Sequence, residues 1–339
     1  MNRKKLLISL AMAMLSMAGL AADNLPALRV QGKNLVDANG KTVVLHGVMD
    51  TPNRYFNGWR WQQWKADYSE ADIQPCLEYF SKQFSAITDK KQGAYCTVFR
   101  LHMDPCWTND PAKKAENEAD ISAFNMARYR LYLQKLYIPL IKDAIAHGLY
   151  VIVRPPGVCP GDISVGDRYN RYLKAIWKAF AADEYIKQNS GIISIELANE
   201  PVRVHLEDGS NSDKALHDYF QPVVDVIREQ GFKGIIWVPG AGYQSQYQNY
   251  AKYPITDSED NFSYAVHVYS GWYNASDKNC NHDVFIKQFQ AQVPMVTSKP
   301  IMVTEIDWSP EDPDKASEGH YNEWGQWTQP NLGSWATAS

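Results

Sequence analysis

Ile193-Ser194-Ile195-Glu196-Leu197-Ala198-Asn199-Glu200-Pro201 is an apolar, β-branched run that stops abruptly at Asn-Glu-Pro. A short run of this kind closed by a turn signal reads as a buried strand. Runs of the same character lie upstream at 150–153, 95–101 and 44–48, and downstream at 234–238, 264–268 and 300–304. Segments of helical period fall between them, near 70–85, 121–147, 167–188, 213–229 and 283–290, with Gly148 as a helix stop. Strands alternating with helices predict βαβ units and a parallel sheet. Repeated along one chain, they favour an α/β fold of the (β/α)8 TIM-barrel type over a doubly wound sheet. The doubly wound fold would carry a glycine-rich loop after its first strand, and here that loop reads Asp50-Thr51-Pro52-Asn53-Arg54. In front of the barrel, 28–30 and 42–45 flank the turn Asp37-Ala38-Asn39-Gly40, which predicts an N-terminal β-hairpin. After residue 304 the chain reads as turn and loop, through Pro310, Pro313, Gly319, Gly325, Pro330 and Gly333. The eighth strand is therefore expected to be irregular or missing, with the chain stopping before the barrel closes.

Composition narrows the function. The 339 residues suit one large domain. A formal net charge of −4 gives no basic surface for nucleic acid or an anionic membrane. Arg3, Lys4 and Lys5, the apolar run at 6–15 and the small-residue site Gly19-Leu20-Ala21 have the pattern of a secretory signal peptide. The expectation is a leader over residues 1–22, a catalytic domain over 23–339, no membrane span, and a secreted or periplasmic location. Export permits disulfides. The five cysteines fit no zinc motif, and a Cys106–Cys159 bridge between neighbouring loops is conceivable. The acidic run Glu311-Asp312-Pro313-Asp314 lacks the spacing of a calcium loop. Neither metal nor cofactor is expected. Trp59, Trp61, Trp64, Trp107, Trp272 and Trp308 sit in polar, turn-like context, where exposed rings would suit the flat faces of sugars.

In a barrel, the residue just past a strand's C-terminal end faces the active-site mouth. Glu200 holds that place after Asn199, and Glu305 holds it after Ile301-Met302-Val303-Thr304. Taken alone, a glutamate after a strand more often caps the next helix. Two of them on well-separated strands can face each other, and glycosidic cleavage needs such a pair: an acid for the leaving oxygen and a nucleophile for the anomeric carbon.

Leu197-Ala198-Asn199-Glu200-Pro201 resembles the signature of glycoside hydrolase family 5, the large cellulase and mannanase family of clan A. The resemblance runs from the first strand to Trp308. It implies that Glu200 is the general acid/base, holding its proton near neutral pH, and that Glu305 is the nucleophile, which must stay charged. Arg100 matches the family arginine that bonds the nucleophile. His267 and Tyr269 match a family pair that contacts the acid/base region and the nucleophile, and Asn199 stands beside the acid as a sugar-hydroxyl partner. Two departures stand out. The family's histidine after strand three is absent from Val153-Arg154-Pro155-Pro156-Gly157, where Arg154 or His102 would replace it. The family's tryptophan after strand eight has no evident counterpart except Trp308 or Trp324. The activity implied is retaining, endo-acting hydrolysis of β-1,4-glucan, with β-mannan or xyloglucan as alternative substrates. A non-catalytic carbohydrate-binding barrel has no need for paired carboxylates.

Overall fold

The computed structural model describes residues 25–53, 68–269, 272–274, 282–306, 320–321 and 327–328. Two antiparallel strands, β1 (Arg29–Gln31) and β2 (Asn34–Val36), precede the central sheet. That sheet comprises β3 (Gly47–Asp50), β4 (Val98–His102), β5 (Tyr150–Arg154), β7 (Ile193–Glu196), β9 (Ile236–Pro239), β10 (Phe262–Val268) and β11 (Ile301–Ile306). All seven run parallel, each beside the next in chain order. Helices flank them: α1 (Ile73–Ile87), α2 (Met126–Tyr132), α3 (Ile138–Ala146), α4 (Arg168–Ala181), α5 (Ala215–Glu229) and α6 (His282–Gln292). Short strands β6 (Asp162–Ser164) and β8 (Arg203–His205) pair with each other outside the barrel. This is a nearly closed barrel, and no described helix is long and apolar enough to cross a membrane.

Strands and helices form where burial demands them. Every residue of β5 is buried, so it reads as a continuous apolar run, as expected for a strand covered on both faces. Val151 and Val153 join the cluster under the helices, whereas Tyr150 and Ile152 join the one inside the barrel. The inner cluster also contains Leu28, Val30 and Leu35, so the N-terminal hairpin plugs the barrel floor. Helix α4 starts at Asp167, whose Oδ1 accepts the Asn170 N–H at 2.6 Å. It buries Tyr169, Tyr172, Leu173, Ile176, Trp177 and Phe180, a stripe at helical spacing. Trp177 Nε1–H donates to the Leu197 carbonyl at 2.9 Å, anchoring the chain just before Asn199 and Glu200.

Two local expectations are corrected. The hairpin turns at Gly32-Lys33, where Gly32 has φ 57, and its second arm is Asn34–Val36. Asp37–Gly40 makes a separate turn that brings Thr42 back to Val36. The helix expected over 121–147 begins at the Asn125 cap and is interrupted by a π turn at Leu133–Tyr137. Pro139 lies just beyond that turn and has no N–H for the ladder. Cys159 carries a free thiol, so no bridge joins it to Cys106, and Cys280 lies outside the described residues.

The outer strands β3 and β11 do not pair with each other. Val48, Met49, Val303 and Ile306 are exposed along them, the edges that an eighth strand would cover. Most of the tail expected to carry that strand lies outside the described residues. Within them, β12 (His320–Tyr321) and β13 (Trp327–Thr328) pair only with each other.

Candidate active site

Strand ends from β4, β7, β10 and β11 converge on one polar cluster. Arg100 lies mid-strand in β4, nearly fully buried. Burying a guanidinium without partners is costly, and here it is saturated. Nε and Nη2 grip the Glu196 carboxylate at 2.6 and 3.0 Å, Nη2 also reaches Asn199 Oδ1 at 2.9 Å, and Nη1 reaches Glu305 Oε1 at 2.7 Å. Tyr269 Oη–H donates to the other Glu305 oxygen at 2.6 Å. His267 Nδ1 stands 3.0 Å from Glu200 Oε1 and 3.4 Å from Glu305 Oε2. A β-bulge at Val266/His267 sets the register that places His267 beside Glu305.

The two glutamates differ in setting. The Glu305 side chain is 12% exposed and that of Glu200 is 26% exposed. Glu200 sits at φ 57, a left-handed conformation unusual for a non-glycine residue. Its N–H is held by Gln244 Oε1 at 2.7 Å. Burial pushes the Glu305 carboxyl up, but Arg100, His267, Arg154 and the Tyr269 hydroxyl override it and hold the group down at about 2. Burial likewise raises Glu196, and Arg100, His267 and Gln244 bring it below the usual carboxylate range.

A folded-state value below the ordinary 4.5 means that native Glu305 keeps a charge the unfolded chain gives up. Stability is therefore expected to fall as pH drops from about 4.5 to about 2, by roughly 3 kcal/mol from this group. Tm measured across that window should decline, and Glu305→Gln should flatten the decline. An unchanged slope in the variant would disprove the linkage.

Arg100, Asn199, Glu200, His267, Tyr269 and Glu305 are thus brought together as expected. His102 is buried on β4, where its Nδ1 meets Arg154 Nη2 at 2.7 Å. Burial, with Arg154 and Arg100 beside it, holds that imidazole well below its ordinary value. Trp107 is not a sugar platform: it is fully buried, stacked on Tyr68 at 4.7 Å, with its N–H on the Pro52 carbonyl at 2.6 Å. Trp272 is half-buried against Tyr269. Trp59, Trp61, Trp64, Trp308 and Trp324 lie outside the described residues.

Glu196, Gln244 and Thr304 were not anticipated. Glu196 had a readable signal, a charge inside the apolar run Ile195-Glu196-Leu197. Gln244 had none. One donor atom each from Glu200, His267 and Glu305 lies within 4.8 Å of the others, a spacing that a metal ion could span. Both Glu305 oxygens are already taken, however, and the adjoining Arg100 opposes a cation.

A family model described as Cellulase (glycosyl hydrolase family 5) matches residues 78–339. Among solved structures, a beta-glucanase from Saccharophagus degradans superposes with a TM-score of 0.57 at 16% identity, over 86% of this chain and 76% of that one. A GH5 cellulase from an Icelandic hot spring isolate gives 0.56 at 20% identity, over 92% and 78%. A beta-mannanase from Streptomyces thermolilacinus gives 0.52 at 13% identity, over 92% and 80%. Curated protein sequences give no match.

Proposed function

Because the chain belongs to the cellulase family, glycosyl hydrolase family 5, we propose that it is an exported endo-acting enzyme that hydrolyses β-1,4-glucan with retention of configuration. The observation that carries this reading is the Glu305 carboxylate, held ionised between Arg100 and Tyr269 with a Glu200 oxygen within 4.8 Å. Retaining glycosidases set their two carboxyl groups about 5–5.5 Å apart, and inverting ones leave about 6.5–9.5 Å for a water. An oxygen-to-oxygen approach of that size accords with a retaining pair, and the stereochemistry of the first product decides it.

In the first step Glu305 attacks the anomeric carbon while the glycosidic C–O bond breaks. Glu200 gives its proton to the departing oxygen. In the second step Glu200, now a base, takes a proton from water. The water oxygen bonds to the anomeric carbon and Glu305 leaves as carboxylate. One water is consumed per bond cut, and both glutamates return to their starting states. Arg100 and Tyr269 keep Glu305 charged and aimed, and His267 Nδ1 adjoins the oxygens of both glutamates.

The test is reducing-sugar release from soluble β-1,4-glucan, β-mannan and xyloglucan, with NMR of the first anomer formed. Release from β-1,4-glucan with the β-anomer appearing first is expected. A first-formed α-anomer would disprove retention, and preference for mannan or xyloglucan would reassign the substrate.

A further inference from the structure

Glu196 ends β7 beneath the two glutamates, and its side chain has no solvent exposure. Its Oε1 accepts hydrogen bonds from Arg100 Nη2, Gln244 Nε2 and Thr304 Oγ1, each at 3.0 Å, and its Oε2 accepts one from Arg100 Nε at 2.6 Å. The same Arg100 holds Glu305. Gln244 turns its other end to Glu200, where Oε1 accepts the backbone N–H at 2.7 Å. One buried carboxylate is therefore a single bonded step from the partners of both glutamates.

The chain is held in an unusual shape to deliver Gln244. Gly242, Tyr243 and Gln244 follow one another at φ 58, 60 and 61. Non-glycine residues persist in that region only where their surroundings impose it, and such residues cluster at functional sites. The Gln244 side chain is fully buried, and Nε2 also reaches the Ala265 carbonyl at 3.2 Å. Glu200, the residue it bonds, is itself at φ 57.

Resting on the retaining reaction above, we propose that the Glu196–Gln244 bridge fixes the aim of both glutamates, with Gln244 the positioning residue for Glu200 and Glu196 the positioning residue for both. The polarity is one-sided, since Arg100, Gln244 and Thr304 all donate to the Glu196 oxygens. Glu196→Gln would set an amide N–H₂ against another N–H and release Arg100.

The two positions should respond differently to the leaving group. Gln244→Met keeps the volume and loses the bonds to Glu196 and to the Glu200 N–H. Gln244→Asn suits positive φ but is one methylene short. In both, kcat/KM on soluble β-1,4-glucan, which needs a proton from Glu200, is expected to fall about 10²-fold, the lower end of what acid–base help supplies. On dinitrophenyl β-cellobioside, whose leaving group needs no proton, kcat/KM should stay within about 3-fold, again because the acid's share of the rate is what is lost. Glu196→Gln should lower both rates together through Arg100 and Glu305. Equal losses on the two substrates in the Gln244 variants, or loss of the cooperative melt in both of them, would make the bridge structural and overturn the proposal. An inactive wild-type chain on both substrates would overturn the reaction itself, and this inference with it.

Discussion

Glu305→Gln is expected to lower kcat/KM by about 10⁴-fold or more on every β-glycoside, polysaccharide and activated aryl glycoside alike. An essential nucleophile is typically worth that much, because its covalent route has no substitute. The fold should survive. The amide oxygen can still accept from Arg100 Nη1, which now lies 2.7 Å from Oε1. The amide nitrogen then faces Tyr269, whose hydroxyl can turn from donor to acceptor. Arg100 also keeps both bonds to Glu196, so its charge remains paired. Activity is thus lost without loss of structure, and the two are separated by measuring Tm beside kcat/KM. A variant within about 10-fold of wild type on the aryl glycoside would remove Glu305 from the nucleophile's role, because covalent catalysis cannot be lost so cheaply.

How much of this was legible follows from what each residue depends on. The five inner strands, β4, β5, β7, β9 and β10, are readable because a barrel strand buried on both faces leaves a continuous apolar run, whereas β3 lies at an exposed edge and begins at Gly47, three residues after the run at 44–48 suggests. Glu200 and Glu305 stood out as carboxylates placed just where such runs end. Arg100 stood out because a guanidinium in an apolar strand must find partners. The identity of its first partner did not, because Glu196 lies on β7 and only the register of parallel strands brings it under Arg100. Gln244 was hidden for the same reason, since a left-handed turn in Gly-Ala-Gly-Tyr-Gln leaves no local mark. Trp107 misled in the opposite direction. Asp104-Pro105-Cys106-Trp107 reads as polar loop, but the Asp104 carboxylate caps a short helical turn by accepting from Cys106 N–H at 2.7 Å, and that turn buries the indole. The hairpin turns one loop earlier than the Asp-Ala-Asn-Gly signal suggests, because Asn34-Leu35-Val36 is too short a run to declare itself and only pairing with β1 makes it a strand.

Glu200→Gly should fail in a way that azide repairs. At φ 57 a glycine is at ease where any other residue is strained, so this variant is expected to fold well although it loses a side chain. It also opens space beside the anomeric carbon. Without the acid, hydrolysis of β-1,4-glucan should fall by about 10²–10⁴-fold, the usual worth of general acid–base help. An aryl glycoside with a good leaving group should still form the glycosyl-enzyme on Glu305 and then stall, since no base remains to activate water. A burst of phenol followed by slow turnover is the expected trace. Azide needs no base. It should enter the vacated space, attack from the face that water uses, and release a β-glycosyl azide, the anomer produced by two inversions. The same experiment on Glu305→Gly gives the opposite chirality if the roles stand, because azide then displaces the leaving group directly and yields the α-azide in one inversion. A β-azide from the Glu305 variant with an α-azide from the Glu200 variant would exchange the two roles. No azide adduct from either would mean that the two carboxylates, close as they are, do not act in sequence on one anomeric carbon.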